Sequence, residues 1–314
     1  MTESTAPRVT ALVPAYNAAA WLAETLDSAL AQSFRDFEVV VVDDGSSDAT
    51  GAIADRYAAQ HPERIRVIHQ ANAGLPAARN AAIAAARGEY LALLDADDVW
   101  RPDHLQRAVA ALDADPGLGL VHANIERIDA EGRTIEVCGP RWRGVADPYA
   151  ALALRLEHVS CPTAVFRRSA VEAVGGFDLR FTGLGCEDRD LWLRIVERFG
   201  IRYLDHVTAG YRMHGGSMSA NHERMGKARQ CLLDKLRATP RGAPLARHVA
   251  AMIASDLGYE LQRNGRYGAA LRAHLRALAW RPQTPLLWWR LAGLARAWLQ
   301  PARRHGTTVL DGRG

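Results

Sequence analysis

Leu91–Leu105 reads LALLDADDVWRPDHL: an apolar run through Leu91, Leu93 and Leu94 ends in Asp95, Asp97 and Asp98, with Asp103 following. Carboxylates this close repel one another unless something positive receives them, either a cation or the N-terminus of a helix. If the chain is still extended there, the period-two alternation of a strand points Asp95 and Asp97 the same way. Such a pair suits magnesium or manganese, which take one or two protein carboxylates and complete their shell with phosphates and water. The alternative is that Asp97 or Asp98 caps the helix opened by RPDHL.

Outward from this stretch, VTALVP, FEVVVVDD, RVIHQ and EYLALLDADD alternate with helical patterns over the first 125 residues. Trp21, Leu22, Thr25, Leu26, Ala29 and Leu30 recur at helical spacing, as do the alanines and Ile83 of LPAARNAAIAAARG, where Gly88 sits as a C-terminal stop. The alternation predicts βαβ units around a mostly parallel central sheet flanked by helices, an α/β fold. Ligands of such sheets bind beyond the carboxyl ends of the strands, so Pro14–Asn17, Asp43–Asp48 and Asp95–Asp98 are expected on one edge. Residues 126–158 read as an irregular connection with a short helix near Tyr149–Leu156. From about residue 222 to 300 the pattern is helical, and GYELQRNGRYGAALRAHLRALAWRP resembles one tetratricopeptide-type hairpin without the further repeats a solenoid needs.

Composition bounds the function. With 314 residues, 48% hydrophobic content and 39 basic against 35 acidic residues, the chain is globular, with room for a large α/β domain and a smaller one. Much of the arginine lies beyond residue 220, which favours an anionic surface over a nucleic-acid groove, and no nucleic-acid reader motif is present. Cys138, Cys161, Cys186 and Cys231 form no C-x-x-C pair, as expected of reduced cytosolic thiols rather than a zinc site or disulfide framework. Neither a secretory leader nor a bilayer-spanning stretch is expected.

Four further motifs carry candidate chemistry. In VDDGSSDAT an ionised Asp44 can accept the imide N–H of a uracil-like base, or the whole is a strand–turn–helix connection in which Ser47 or Asp48 caps. NAGLPAARN sets Arg79 one turn into a helix whose N-terminus favours anions. GLGCEDRDLWLRI opens a helix with Glu187, Asp188 and Asp190, acids that stabilise any helix through its dipole yet point in different directions. YRMHGGSMS offers His214 as a metal ligand or base, or as a structural histidine.

Together, VPAYNAAAWLAETLDSALAQSF, VVVDDGSSDAT, NAGLPAARN, LLDADD, CEDRDLWLR and YRMHGGSMS resemble the glycosyltransferase family 2 enzymes of the GT-A fold over about residues 8–220. The resemblance implies an inverting, metal-dependent transfer from a nucleotide-diphosphate sugar, a UDP-sugar favoured, to a glycan or lipid-linked acceptor in cell-envelope glycan assembly. By that analogy Pro14, Ala15, Tyr16 and Asp44 hold the nucleobase, Arg79 reaches the base or diphosphate, and Asp95 contacts ribose or the metal shell. Asp97 ligates Mg2+ or Mn2+, His214 approaches the metal or diphosphate, and Asp188 is the general base. The implied organisation is a glycosyltransferase domain at 1–220, with a nucleotide-sugar half over about 8–125 and an acceptor half over about 126–220, then a helical region at 221–314. A nucleotidyltransferase is disfavoured because PAYNAAAW replaces the glycine-rich basic loop it would carry. A catalytically inactive scaffold that binds nucleotide or glycan is the other alternative.

The tail departs from the family pattern. TPLLWWRLAGLARAWLQPARR carries Trp288, Trp289 and Trp298 among Arg290, Arg296, Arg303 and Arg304. It reads as a basic helix lying on a membrane surface, or as a terminal helix packing its aromatics onto the protein. A cytoplasmic protein, peripheral on the inner face of the membrane in the first reading, is expected.

Overall fold

The structure, a computed structural model, describes residues 6–139, 146–156, 158–215 and 222–299. Gly216–Ser219 of the histidine motif and Arg303 and Arg304 of the tail lie outside the described residues. The chain forms two compact units, Met1–Asp234 and Lys235–Gly314.

In the first unit, β1 (Val9–Ala15), β2 (Phe37–Asp43) and β4 (Tyr90–Leu93) are buried at every position, the mark of strands covered on both faces. Their helical crossovers are α1 (Leu22–Leu30), α2 (Thr50–Gln60) and α3 (Leu75–Ala85), and β3 (Ile65–His69) lies between the last two. α1 buries Leu22, Thr25, Leu26 and Ala29, the stripe its spacing predicts. β3, β2, β1 and β4 lie side by side and parallel.

Beyond β4 the sheet is mixed. After β5 (Val99–Trp100) and α4 (His104–Asp113), β6 (Leu118–Ile128) joins the sheet, and β8 (Val165–Arg167) fits antiparallel between β4 and β6. β9 (Gly200–Arg212) runs parallel to β6 on its far side, and β5 pairs antiparallel with it. This arrangement carries the chain from the parallel half back to the same carboxyl edge at Arg212.

The described part of residues 126–158 is more regular than expected. β6 continues to Ile128, and Asp129 turns the chain by accepting from the backbone N–H groups of Glu131 and Arg133. The return strand β7 (Thr134–Cys138) pairs antiparallel with β6. α5 (Pro148–Ala153) falls where a short helix was expected, with Asp147 accepting from the N–H of Ala150. Gly88 serves a different purpose from the helix stop anticipated for it: a Cβ there would lie 2.6 Å from the backbone nitrogen of Thr10, so the residue permits close approach of two chains rather than a left-handed cap.

α6 (Arg168–Val174) and α7 (Glu187–Val196) precede β9, and α8 (His222–Arg237) carries the chain across the boundary between units. The second unit holds α9 (Ala243–Arg263) and α10 (Tyr267–Trp280), a hairpin turned at Gly265 in the left-handed region, and α11 (Pro285–Leu299). Its core includes Ala251, Ala254, Ala277, Leu278 and Leu287. α11 buries Leu287 and Leu294; Trp288, Trp289 and Trp298 stay at least half exposed, Trp298 with its ring stacked 6.1 Å from that of Tyr267. Among the described residues no helix is long and apolar enough to cross a membrane.

Candidate active site

β4 ends at Leu93, and the N–H of Asp98 bonds to the carbonyl of Asp95 at 3.0 Å, so the acidic stretch is a turn and not an extended strand. Alternation therefore does not apply, and each carboxylate meets its own partner. Asp95 accepts from Arg79 at 2.7 Å, Asp97 lies 2.9 Å from Nε2 of His214, and buried Asp98 accepts from the N–H of Arg212 at 2.8 Å. Asp97 and Asp98 do not cap α4 either, since that helix begins after Asp103. Burial, with the neighbouring Asp97 and Asp95 carboxylates, pushes the Asp98 carboxyl well above its usual range. Burial and Asp95 raise Asp97 as well, partly offset by His214.

Arg79, on α3, ties this turn to the start of α7. Its two terminal nitrogens reach Asp95 and Glu187, both at 2.7 Å, and the first of them also meets Sγ of Cys161 at 3.1 Å. The guanidinium lies 5.2 Å from the Phe177 ring centre and is 1% exposed. Burial works against its charge, and Asp95, Cys161 and Glu187 more than offset that. The side chain expected to reach a base or diphosphate here forms an internal ion bridge. Its effect is to bring the N-terminus of α7 against the acidic turn.

α7 starts from Cys186, which takes a left-handed φ of 64°. Of its three acids, Glu187 is held by Arg79 and Asp190 by Arg194 at 2.7 Å, both carboxylates being buried. Asp188, half-buried, accepts from the N–H of Arg189 at 2.6 Å. It is the acid of this turn left without an arginine clamp among the ion pairs of the described residues.

His214 leaves the end of β9 and lies with its ring 4.1 Å from that of Trp21, which sets the imidazole plane. Arg212, two residues earlier, is buried: its guanidinium donates to the carbonyls of Asp97, Asp129 and Ala130 and to Glu24. Among the described residues no three His, Cys, Asp or Glu side chains converge as a complete metal cage. A carboxylate–imidazole pair beside a second carboxylate nonetheless fits a cation whose remaining ligands come from a phosphorylated substrate. Trp21, Glu187, Asp98 and Arg212 were not singled out from sequence for these roles. All four stand inside motifs quoted above, but nothing in those motifs indicates which distant groups they meet.

The nucleobase residues predicted from sequence lie on the same strand edge. Pro14 and Ala15 are buried in β1, the Ala15 carbonyl accepts from the N–H of Asp44, and Tyr16 is exposed at the rim. Asp44 is buried, with its oxygens accepting from Gln70 and from the N–H groups of Ala73 and Gly74. That carboxylate pins the turn entering α3, and nothing in its bonding singles out uracil. Asn17 at φ 50° crosses to Ser46 and Ser47, while Asp48 bonds the N–H of Thr50 and so tightens the start of α2.

At the same edge His69 stands between Asp55 at 2.9 Å and Asp43 at 3.0 Å, and the two carboxylates, Asp55 foremost, raise its pKa. A histidine whose folded pKa is raised stabilises the fold below its unfolded value near 6.5, and that contribution is lost as pH rises through the folded value. Solvent screening at this half-exposed site limits it to a fraction of a kcal/mol. Melting temperatures between about pH 5.5 and 8.5 should therefore fall more for the wild type than for Asp55→Asn. Parallel curves would remove His69 from the account.

A model of glycosyl transferase family 2 matches residues 10–175, just over half of the chain. An uncharacterized glycosyltransferase of Nostoc sp. is 34% identical over 218 residues, covering 67% of this chain and 66% of that protein. A chondroitin synthase of Escherichia coli is 30% identical over 213 residues, 68% of this chain but 30% of its own length, so the chain spans under a third of that enzyme. Among solved structures, the mannosyltransferase PcManGT of Pyrobaculum calidifontis in complex with GDP-Man and Mn2+ is similar at a TM-score of 0.61 and 25% identity, covering 95% of this chain and 82% of that one.

Proposed function

We propose, from the premise that this chain belongs to glycosyl transferase family 2, that it transfers a sugar with inversion from a nucleotide-diphosphate sugar to an acceptor hydroxyl in glycan assembly. The observation that carries the reading is the Arg79 bridge between Asp95 and Glu187, which sets the acidic turn and Asp188 on one strand edge. The complex of the similar mannosyltransferase with GDP-Man and Mn2+ supports a nucleotide-sugar donor and a divalent cation.

In this mechanism Asp188 takes the proton of the acceptor hydroxyl as its oxygen bonds the anomeric carbon and the bond from that carbon to the diphosphate breaks on the opposite face. A carboxylate suffices, since the proton moves only as the hydroxyl attacks. Asp97 and His214 hold Mg2+ or Mn2+, with Asp95 beside them. When bound, the cation neutralises charge growing on the departing diphosphate. Arg79 acts here as a positioning residue for Asp95 and for the start of α7. Pro14, Ala15 and Tyr16 border the base, with Asp44 shaping the adjoining turn. The acceptor is a glycan or a lipid-linked glycan. Cys138, Cys161, Cys186 and Cys231, none of them in a disulfide, suit a reducing, cytoplasmic setting.

Calorimetric titration with UDP, GDP, dTDP and CMP, each with and without Mn2+, tests the reading. One diphosphate is expected to bind in a manganese-dependent manner and CMP is not. The bonding of Asp44 leaves the choice among bases to this measurement. No binding across the panel would overturn the donor site and favour a scaffold.

A further inference from the structure

A helix on a protein surface ordinarily turns polar side chains outward. α11 does not. At 100° per residue, Trp288, Trp289 and Leu299 fall within roughly 100° of arc on the side opposite the buried Leu287 and Leu294. These three are 54%, 72% and 83% exposed, and Leu286 flanks them at 51%. Trp288 donates its indole N–H to the carbonyl of Pro282 at 2.6 Å, which satisfies the polar atom and leaves an exposed ring. Along the helix the large apolar groups gather in the first and last turns, with Arg296 the one charged side chain on the outer arc.

The charge around this helix is one-sided. From Leu261 to Leu310 the sequence contains nine arginines and no acidic residue. Residues 235–314 hold fourteen Lys and Arg against three Asp and Glu, whereas residues 1–234 hold twenty-five against thirty-two. α10 repeats the pattern: Arg272 and Arg276 are exposed beside Leu275 and Trp280, opposite the buried Ala270, His274 and Ala277. A second copy of this surface would set arginine against arginine with no carboxylate to receive it. A layer that is negative at its surface and apolar beneath matches both properties at once, and Trp is the side chain suited to that boundary.

We propose that α11 lies flat on an anionic lipid bilayer, with Trp288, Trp289 and Leu299 at headgroup depth and Arg272 and Arg276 of α10 and Arg296 of α11 among the headgroups. The inference stands independently of the donor-site reading. It is tested by flotation of the full chain with vesicles of phosphatidylcholine alone or with about a third phosphatidylglycerol. Binding to the anionic vesicles is expected, at least about tenfold weaker on phosphatidylcholine alone and falling steeply as salt is raised. Trp289→Ser and Leu299→Ser should each weaken it about tenfold with unchanged melting temperature, and Arg272→Gln/Arg276→Gln should erase part of the preference for anionic lipid. Leu257→Ser, an exposed leucine on α9, serves as the control that changes nothing. Failure to float with anionic vesicles at low salt, or flotation indifferent to Trp289→Ser and Leu299→Ser, overturns the proposal. So does a concentration-dependent dimer that Trp289→Ser takes apart, since the occupant would then be a second copy.

Discussion

Asp188→Asn lowers transfer by about 10²–10⁴-fold while the affinity for the nucleoside diphosphate and Mn2+ stays within about threefold. The amide keeps the size of the carboxylate, and its oxygen still accepts the 2.6 Å bond from the N–H of Arg189, so the start of α7 is preserved. What it cannot do is take a proton. Glu187, one residue earlier, gives the contrasting result. Glu187→Gln removes the charge facing the Arg79 guanidinium at 2.7 Å inside the protein, so it perturbs the bridge to Asp95 and should weaken donor binding together with turnover. Single-turnover rates and calorimetric titration of the two variants separate the roles. Equal loss of donor affinity in both would refute the assignment of Asp188 as base.

The parallel half of the fold was legible because its signals are local. β1, β2 and β4 are continuous apolar runs, as strands buried on both faces must be, and α1 repeats its apolar residues at helical spacing. The mixed half was less so. β8 has three residues, too few to show a period, and its place between β4 and β6 depends on pairing with residues far away in sequence. The β6–β7 hairpin did carry a cue, the Asp and Gly of DAEGR, but polar alternation in the exposed β7 resembles loop sequence.

The candidate site divides in the same way. The motifs named the edge and most of the side chains, but not their partners. Asp95 and Asp97 were expected to act as a same-side pair, and a turn of the backbone aims one at Arg79 and the other at His214. Arg79 was expected to meet a ligand, and the fold surrounds it with Asp95, Glu187 and Cys161, the last two more than 80 residues away along the chain. Whether an arginine faces solvent or a buried carboxylate is decided by tertiary approach, which no local window of sequence contains.

Arg212 is the residue whose loss should cost the fold most. Arg212→Met is expected to destabilise the first unit by about 3–5 kcal/mol, read from denaturant unfolding. The methionine fills much of the same volume, so the cost comes from polar groups. The carbonyls of Asp97, Asp129 and Ala130 lose donors at 2.8, 3.2 and 3.0 Å, in a place where the side chain they faced is fully buried. The Asp98 carboxyl keeps its bond from the backbone N–H of residue 212 but loses a nearby positive charge. Glu24 is half exposed and regains water, so its 2.7 Å ion pair contributes little to the total. Arg212→Lys should recover only a minor part, because one ammonium cannot reach carbonyls fanned around a planar fork. Since the same guanidinium joins the acidic turn to the β6–β7 turn two residues before His214, manganese-dependent nucleotide binding should weaken in both variants even below their unfolding midpoints. Stability within about 1 kcal/mol of wild type for Arg212→Met would show that water replaces the lost donors and that the site does not depend on this brace.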